Sequence, residues 1–255
     1  MENIILLHGM GGPNPLNYVE RGLEGEFRVF KPTMPGFHEK DGIIQYRDAL
    51  YVDFVEQYRL EKNIESFIVV GYSMGGRTAL NYTFRYPERV KKLILIDSVG
   101  FAYMIPILKL NGGKTFLKRV LTPMLKYSFV QEMLGKADFT NAKSEEYELG
   151  KAWMGELMEN DTVRRNFVEV LTSIGSPIPG IKEKLGKLEM PVQLLWAEED
   201  KTAKIATAYW AEKYIKNCSL KLLKGYRHMA PIESPGFYID NIVEFCRESA
   251  GAEMA

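Results

Sequence analysis

The feature that most constrains this chain is a glycine-flanked serine between an apolar run and a helical segment. Residues 67–70 read Phe-Ile-Val-Val, which is typical of a buried strand. Residues 71–76 follow as Gly-Tyr-Ser-Met-Gly-Gly, and helical composition begins at once. This strand–turn–helix context predicts a nucleophile elbow, in which Ser73 lies in strained backbone at the tip of the turn. The turn is so sharp that side chains at Gly71 and Gly75 would clash.

Strands and helices alternate on both sides of this turn. Five further apolar runs have the length of buried strands, at residues 4–7, 27–30, 93–96, 192–196 and 220–223. Helical patterns lie between or after them, at residues 43–58 (about five turns, ending near residue 63), 203–215 and 235–248. Such alternation favours an α/β fold with parallel strands.

The alternation stops between residues 101 and 186, where no strand is evident. Helical segments are predicted at residues 114–134, 144–159 and 162–174. We therefore predict an α/β core of residues 1–100 and 187–255 with an all-helical cap insertion of residues 101–186. Its methionines and aromatics suit an adaptable pocket roof, although such side chains also pack inserted helices together. The pocket candidates are Met104, Met124, Met133, Trp153, Met154 and Met158.

Composition narrows the class of protein. The chain has 255 residues and balances 33 Lys and Arg against 33 Asp and Glu, so no basic excess points to a nucleic-acid partner. Two cysteines do not make a disulfide framework and favour a reduced, cytoplasmic protein. No signal peptide and no membrane-spanning apolar stretch is expected. The expected partner is a small molecule, and the oligomeric state stays open.

A serine nucleophile needs a base, and the base needs an orienting carboxylate. Of the three histidines, His228 follows the last predicted strand, where a parallel sheet presents functional groups. His8 is interpreted as structural, and His38 precedes the nucleophile. Asp200 comes directly after a strand and is the candidate acid, and its rivals are Glu198, Glu199 and Asp97.

Five motifs in order resemble those of the α/β-hydrolases. They are His8-Gly9 with further glycines, residues 34–37 (Met-Pro-Gly-Phe), the serine turn, residues 196–200 (Trp-Ala-Glu-Glu-Asp) and residues 225–228 (Gly-Tyr-Arg-His) followed by Glu233 and Pro235. The resemblance implies a catalytic triad of Ser73, Asp200 and His228, with no metal or cofactor. It also implies an oxyanion hole made by the backbone N–H groups of Met74 and of Met10 or Gly11.

Two departures from the family pattern matter. Only a few residues precede the His8 strand, so we expect a sheet without the family's usual N-terminal hairpin, with about six strands, all parallel. Thr33 stands where the family often has an acidic residue before its Pro-Gly turn. A role that the acidic residue plays in other members is therefore not expected in this chain.

Three functions fit these residues. Serine at the elbow suggests acyl transfer, so the first hypothesis is a serine carboxylesterase acting on small to medium acyl esters. The second is hydrolysis of a carbon–carbon bond in a meta-cleavage product, since related capped hydrolases share the Gly-x-Ser-Met-Gly-Gly turn. That substrate carries a carboxylate, and an arginine in the pocket (Arg77, Arg164 or Arg165) would favour it. The third is a ligand sensor with slow turnover.

Overall fold

A single sheet of six parallel strands forms the centre of the molecule, as a computed structural model describes it for residues 1–38 and 40–248. The strand order across the sheet is β2-β1-β3-β4-β5-β6, and every neighbouring pair is parallel. The predicted fold class and strand count are confirmed. The strands are β1 (Asn3–Leu7), β2 (Arg28–Phe30), β3 (Phe67–Tyr72), β4 (Val90–Ile96), β5 (Val192–Ala197) and β6 (Cys218–Leu223).

The four central strands are buried on both faces, which explains their continuous apolar runs. The register pairs Gly71 with Leu7 on one side of β3 and Tyr72 with Ile96 on the other. Both β3 and β4 therefore end at the same edge of the sheet, and the side chains that follow them are brought together there.

Eleven α-helices flank this sheet within the described residues. The helices before β5 are α1 (Asn17–Leu23), α2 (Asp48–Glu61), α3 (Met74–Arg85), α4 (Gly113–Met124), α5 (Ser128–Asp138), α6 (Glu145–Glu159), α7 (Asp161–Ile174) and α8 (Ile181–Leu185). The remaining three are α9 (Ile205–Glu212), α10 (Ala230–Glu233) and α11 (Pro235–Glu248). None of the helices in residues 1–38 and 40–248 has the length and apolarity to cross a bilayer.

The helix predicted from residue 43 begins later than its apolar spacing indicates. Helix α2 has 14 residues, and Arg47 before it is extended. The segment in front is a loop in which Ile43 is 69% exposed and the Ile44 amide donates to Asn166 Oδ1 at 3.0 Å. A contact with the inserted helices thus fixes this loop, and the periodicity of Ile43 and Tyr46 is coincidental.

The inserted helices leave the sheet after β4 and return before β5. The single helix predicted for residues 114–134 is two helices, because α4 ends one residue after Pro123 and Tyr127 is extended. The next two helices start where side chains cap them. Ser144 Oγ accepts from the Tyr147 amide, and Asn160 Oδ1 accepts from two amides of α7.

Candidate active site

Ser73 occupies the turn between β3 and α3 in the strained backbone that its motif predicts. Its φ is +53°, in a region that non-glycine residues rarely adopt. A Cβ at Gly71 would lie 2.5 Å from the Gly75 carbonyl oxygen, and one at Gly75 would lie 2.0 Å from the Leu7 oxygen. Because only glycine fits at both positions, the serine can sit on so tight a turn.

His228 lies on the loop between β6 and α10 and contacts the serine directly. Its Nε2 is 2.9 Å from Ser73 Oγ, and its Nδ1 donates to Asp200 Oδ2 at 2.6 Å. The Tyr72 hydroxyl donates to the His228 carbonyl at 2.8 Å and holds the loop against the end of β3. The three predicted side chains therefore form one hydrogen-bonded chain.

Asp200 is fixed by the backbone after β5. Its Oδ1 accepts from the Thr202 amide at 2.7 Å and from the Ala203 amide at 2.8 Å. These bonds leave Oδ2 facing the imidazole and set the orientation of the carboxylate. The rivals Glu198 and Glu199 are exposed.

Asp97, the third rival, is also buried but has other partners. Its Oδ1 accepts from the Ala197 amide at 2.7 Å, and its Oδ2 accepts from the Tyr238 hydroxyl at 3.2 Å. Burial, helped by the nearby Asp200 charge, raises the pKa of Asp97 well above its usual value. Asp97 thus joins β4 to β5 and α11 rather than contacting the imidazole.

The acidic surroundings of His228 favour its protonated form. Burial alone would lower the pKa of this imidazole, but the Asp200 carboxylate, and more weakly Asp138 and Asp97, raise it to about 9. An imidazolium is thus stabilised next to Ser73, which is the charge state that a general base acquires when it takes a proton from the serine.

The other two histidines have hydrogen-bond partners outside the Ser73–His228–Asp200 chain. His8 is buried, its Nδ1 donates to the Gly9 carbonyl at 2.6 Å, and its Nε2 accepts from the Met34 amide at 2.8 Å. Burial lowers the pKa of His8 to about 4, so it is a neutral group tying two loops together. His38 is exposed and accepts from the Lys40 amide.

Backbone amides near Ser73 are free to donate. The N–H groups of Met10, Gly11 and Met74 have no hydrogen-bond acceptor within the described ranges. Met74 is the first residue of α3, where an amide has no partner in its own helix. Met10 and Gly11 lie on the glycine-rich loop after β1, where the sequence places the second donor.

A cavity of about 470 Å³ lies over Ser73 and His228 and is walled mainly by the inserted helices. Four of the pocket candidates, Met104, Trp153, Met154 and Met158, line it. Met124 and Met133 do not, because they lie on the outer faces of α4 and α5 and are 37% and 62% exposed. Other apolar side chains complete the wall, among them Leu117, Leu121, Leu125, Leu134, Phe139, Phe167 and Leu171.

None of the three arginines considered for a substrate carboxylate lines this cavity. Arg77 forms a two-point ion pair with Asp48, at 2.7 and 2.8 Å, and donates to the Ser176 carbonyl. Arg164 and Arg165 both pair with Asp161. The position of Arg77 just after the elbow does not predict its ion pair with Asp48.

The inserted helices also hold the loop that carries His228. Glu233 in α10 accepts hydrogen bonds from the amides of Thr140 and Asn141, each at 3.0 Å. The Arg227 amide donates to Thr140 Oγ1, and the Met229 amide donates to the carbonyl of Asp138. The position of the imidazole therefore depends on the insertion as well as on the sheet.

Sequence reasoning missed Tyr72, Thr202 and Asp138. Tyr72 directly precedes Ser73 in the elbow motif, so the sequence already indicated that it lies beside the serine. Thr202 closely follows the candidate acid, but nothing in the sequence marks Asp138, an acidic residue in a helical segment. All three line the cavity. Within residues 1–38 and 40–248, His, Cys, Asp and Glu side chains form no group of three that could hold a metal ion.

A family model described as "alpha/beta hydrolase fold" matches residues 2–235. The chain belongs to this family. The structure of an esterase from Exiguobacterium antarcticum superposes with a TM-score of 0.80 at 17% identity, covering 97% of this chain and 92% of that one. The fold of this α/β-hydrolase is thus found in solved structures of very different sequence.

Relatives with curated names divide between two chemistries. A 2-hydroxy-6-oxo-6-phenylhexa-2,4-dienoate hydrolase from Burkholderia cepacia is 26% identical over 78% of this chain and 72% of its own length. Lipase 1 from Psychrobacter immobilis is 24% identical over 96% of this chain and 76% of its own length. Similarity alone therefore supports a hydrolase and leaves the bond that it cleaves open.

Proposed function

We propose that the protein is a serine carboxylesterase that cleaves esters of small to medium acyl chains through an acyl-enzyme. The observation that carries the proposal is the hydrogen-bonded chain from Asp200 through His228 to Ser73, with Ser73 on a strained turn at the floor of an apolar cavity. Residues 101–186 act as the cap, and Ser73, His228 and Asp200 act as the catalytic triad.

The reaction proceeds in two halves. His228 Nε2 takes the Ser73 proton as Oγ bonds to the ester carbonyl carbon, and the amides of Met74 and of Met10 or Gly11 stabilise the oxyanion. The intermediate collapses, the carbon–oxygen bond to the alcohol breaks, and His228 returns the proton to the leaving alkoxide. Water then attacks the acyl-enzyme by the same route and releases the carboxylic acid. Loss of one oxyanion donor costs about 3 kcal/mol of transition-state stabilisation.

The cavity favours an ester over a meta-cleavage product. Such a product carries a carboxylate, which must keep a cationic partner when it is buried. The three arginines considered are held outside, and the two lysines that line the cavity, Lys151 and Lys201, are exposed to solvent. The cavity also contains the Asp138 carboxyl. The test is a panel of p-nitrophenyl esters from acetate to palmitate alongside one dioxo-acid substrate. Faster turnover of the dioxo acid than of every ester would contradict the proposal.

The apolar roof is expected to select acyl length. Each buried methylene contributes roughly 0.8 kcal/mol, so kcat/KM should rise to an optimum at about four to eight carbons and fall where the roof blocks the chain. Met154→Ala is expected to move the optimum toward longer chains, since Met154 lines the cavity. The matched control is Met133→Ala, an exposed methionine of the same insertion. The same optimum in the Met154 variant and wild type would show that this wall does not select the acyl group.

Activity is expected to increase with pH above neutrality. Only neutral His228 can accept the serine proton, and its pKa is raised to about 9. The kcat/KM at pH 9, corrected for spontaneous hydrolysis, should therefore exceed that at pH 7 by at least about fivefold. An ascending limb centred below pH 6.5 would mean that the three aspartates do not act on the imidazole in this way.

A further inference from the structure

One acidic side chain in the cavity has no task in the mechanism above. Asp138, the last residue of α5, lines the same cavity as Ser73 and His228. Burial raises the pKa of its carboxyl above the usual value, against the opposing effect of His228. A half-buried carboxyl in a mainly apolar wall is costly unless it has partners.

The Asp138 carboxyl is half satisfied. Its Oδ1 accepts from the Thr202 hydroxyl at 2.8 Å, and the amide of the same threonine donates to Asp200 Oδ1 at 2.7 Å. The backbone carbonyl of Asp138 accepts from the Met229 amide at 3.0 Å. Its Oδ2 has no hydrogen-bond partner in the described part of the chain. The carboxyl is therefore fixed relative to the catalytic groups, with one oxygen left for a ligand.

Tyr147 of α6 lies in the same wall but does not present its hydroxyl to the cavity. Its side chain is 2% exposed, and its hydroxyl is buried without a hydrogen-bond partner. The ring lies edge-on to Phe139 at 5.4 Å between centroids, and it packs beside Gly135, one turn before Asp138 on α5. Because this hydroxyl has no accessible surface, a ligand in the cavity does not reach it, and Asp138 Oδ2 is the polar atom that is open to a ligand.

We propose that Asp138 forms a polar subsite that binds a hydroxyl group of the substrate. The preferred substrates are then neutral esters that carry a free hydroxyl, and esters that carry a carboxylate are rejected. The inference rests on the proposed esterase activity and names the substrate class for it.

A hydroxyl suits this subsite better than a charged group does. It both donates and accepts, so it can pair with Asp138 Oδ2 in either protonation state. A carboxylate would meet a second carboxyl in an apolar wall. An ammonium group would lose more hydration there than a hydroxyl does, and it cannot accept a hydrogen bond from a protonated carboxyl.

The experiment compares esters of matched length. The plain ester is butyl hexanoate, and the hydroxyl is placed on the alcohol in 4-hydroxybutyl hexanoate or on the acyl chain in butyl 6-hydroxyhexanoate. The anionic ester is monobutyl adipate, and the cationic one is butyl 6-aminohexanoate. For wild type, kcat/KM of one hydroxyl ester should exceed that of butyl hexanoate by at least about tenfold, and monobutyl adipate should be at least about tenfold worse.

Two variants assign the effect to Asp138. Asp138→Leu should reduce the hydroxyl preference by at least about threefold, because the free carboxyl oxygen is gone. Asp138→Asn keeps the shape, removes the negative charge, and should bring monobutyl adipate to within about threefold of butyl hexanoate. The matched control is Tyr127→Phe, which removes an exposed phenol of the same insertion and should leave every ratio unchanged.

The kcat/KM ratios between esters in the wild-type protein test the subsite even if a variant does not fold. Equal kcat/KM for the plain ester and both hydroxyl esters, or the highest value for the amino ester, would overturn the subsite while the esterase proposal stands. If none of the esters is hydrolysed and Ser73 is never acylated, the esterase proposal fails and the subsite inference fails with it. A hydroxyl preference on one ester alone supports the inference and shows whether the alcohol or the acyl portion reaches Asp138.

Discussion

Ser73→Ala is expected to lower kcat/KM for p-nitrophenyl butyrate by at least about a thousandfold, because no other group takes over the covalent step. The fold should persist, since Ser73 Oγ pairs only with the imidazole and the strained turn depends on the neighbouring glycines. The measurement is steady-state hydrolysis together with the thermal unfolding midpoint.

The matched control for this change is Ser219→Ala in β6. Ser219 is partly buried and its hydroxyl has no hydrogen-bond partner, so its removal should leave activity near the wild-type value. Wild-type turnover in a folded Ser73→Ala protein would show that the elbow serine is not the nucleophile.

Asp200→Asn is expected to reduce kcat by roughly four orders of magnitude. The asparagine amide would replace the carboxylate that accepts from His228 Nδ1, so the imidazole would be held in the wrong tautomer and its protonated form would lose its main stabilising charge. The two amides that orient this side chain, from Thr202 and Ala203, can still donate to an asparagine oxygen, so the fold should persist.

Asp97→Asn is the comparison that tests the choice of acid. Asp97 is buried and its charge acts on the same imidazole, but its hydrogen bonds go to Ala197 and Tyr238. An asparagine at residue 97 can still accept from the Ala197 amide, so a much smaller loss of kcat is expected. If Asp97→Asn is the crippling change and Asp200→Asn is mild, the acid is assigned wrongly.

The sheet and the elbow could be predicted because their signals are local. Strands buried on both faces read as continuous apolar runs, and the glycines at residues 71 and 75 record a close approach of backbone that no other residue allows. The positions of Asp200 and His228 after their strands follow from the rule that parallel strands present their carboxyl ends at one edge. These residues needed no knowledge of distant contacts.

The cavity wall could not be predicted because it depends on how distant helices pack. Met154 and Met133 have the same chemistry and similar helical surroundings in the sequence, yet one lines the cavity and the other is exposed. Arg77 follows the elbow directly, but Asp48 of α2 holds it. Asp138 gains its place only when α5 is fixed to the loop of His228, a contact between segments far apart in the chain.

The most direct test of the proposed mechanism is the mass of the protein during turnover. Wild type is mixed with p-nitrophenyl butyrate, quenched in acid within the first turnover, digested and analysed by mass spectrometry. We expect a butyryl group on the peptide that contains Ser73, together with a burst of about one equivalent of p-nitrophenol per active site. Acylation at another residue, or the same burst and adduct in the Ser73→Ala protein, would contradict it.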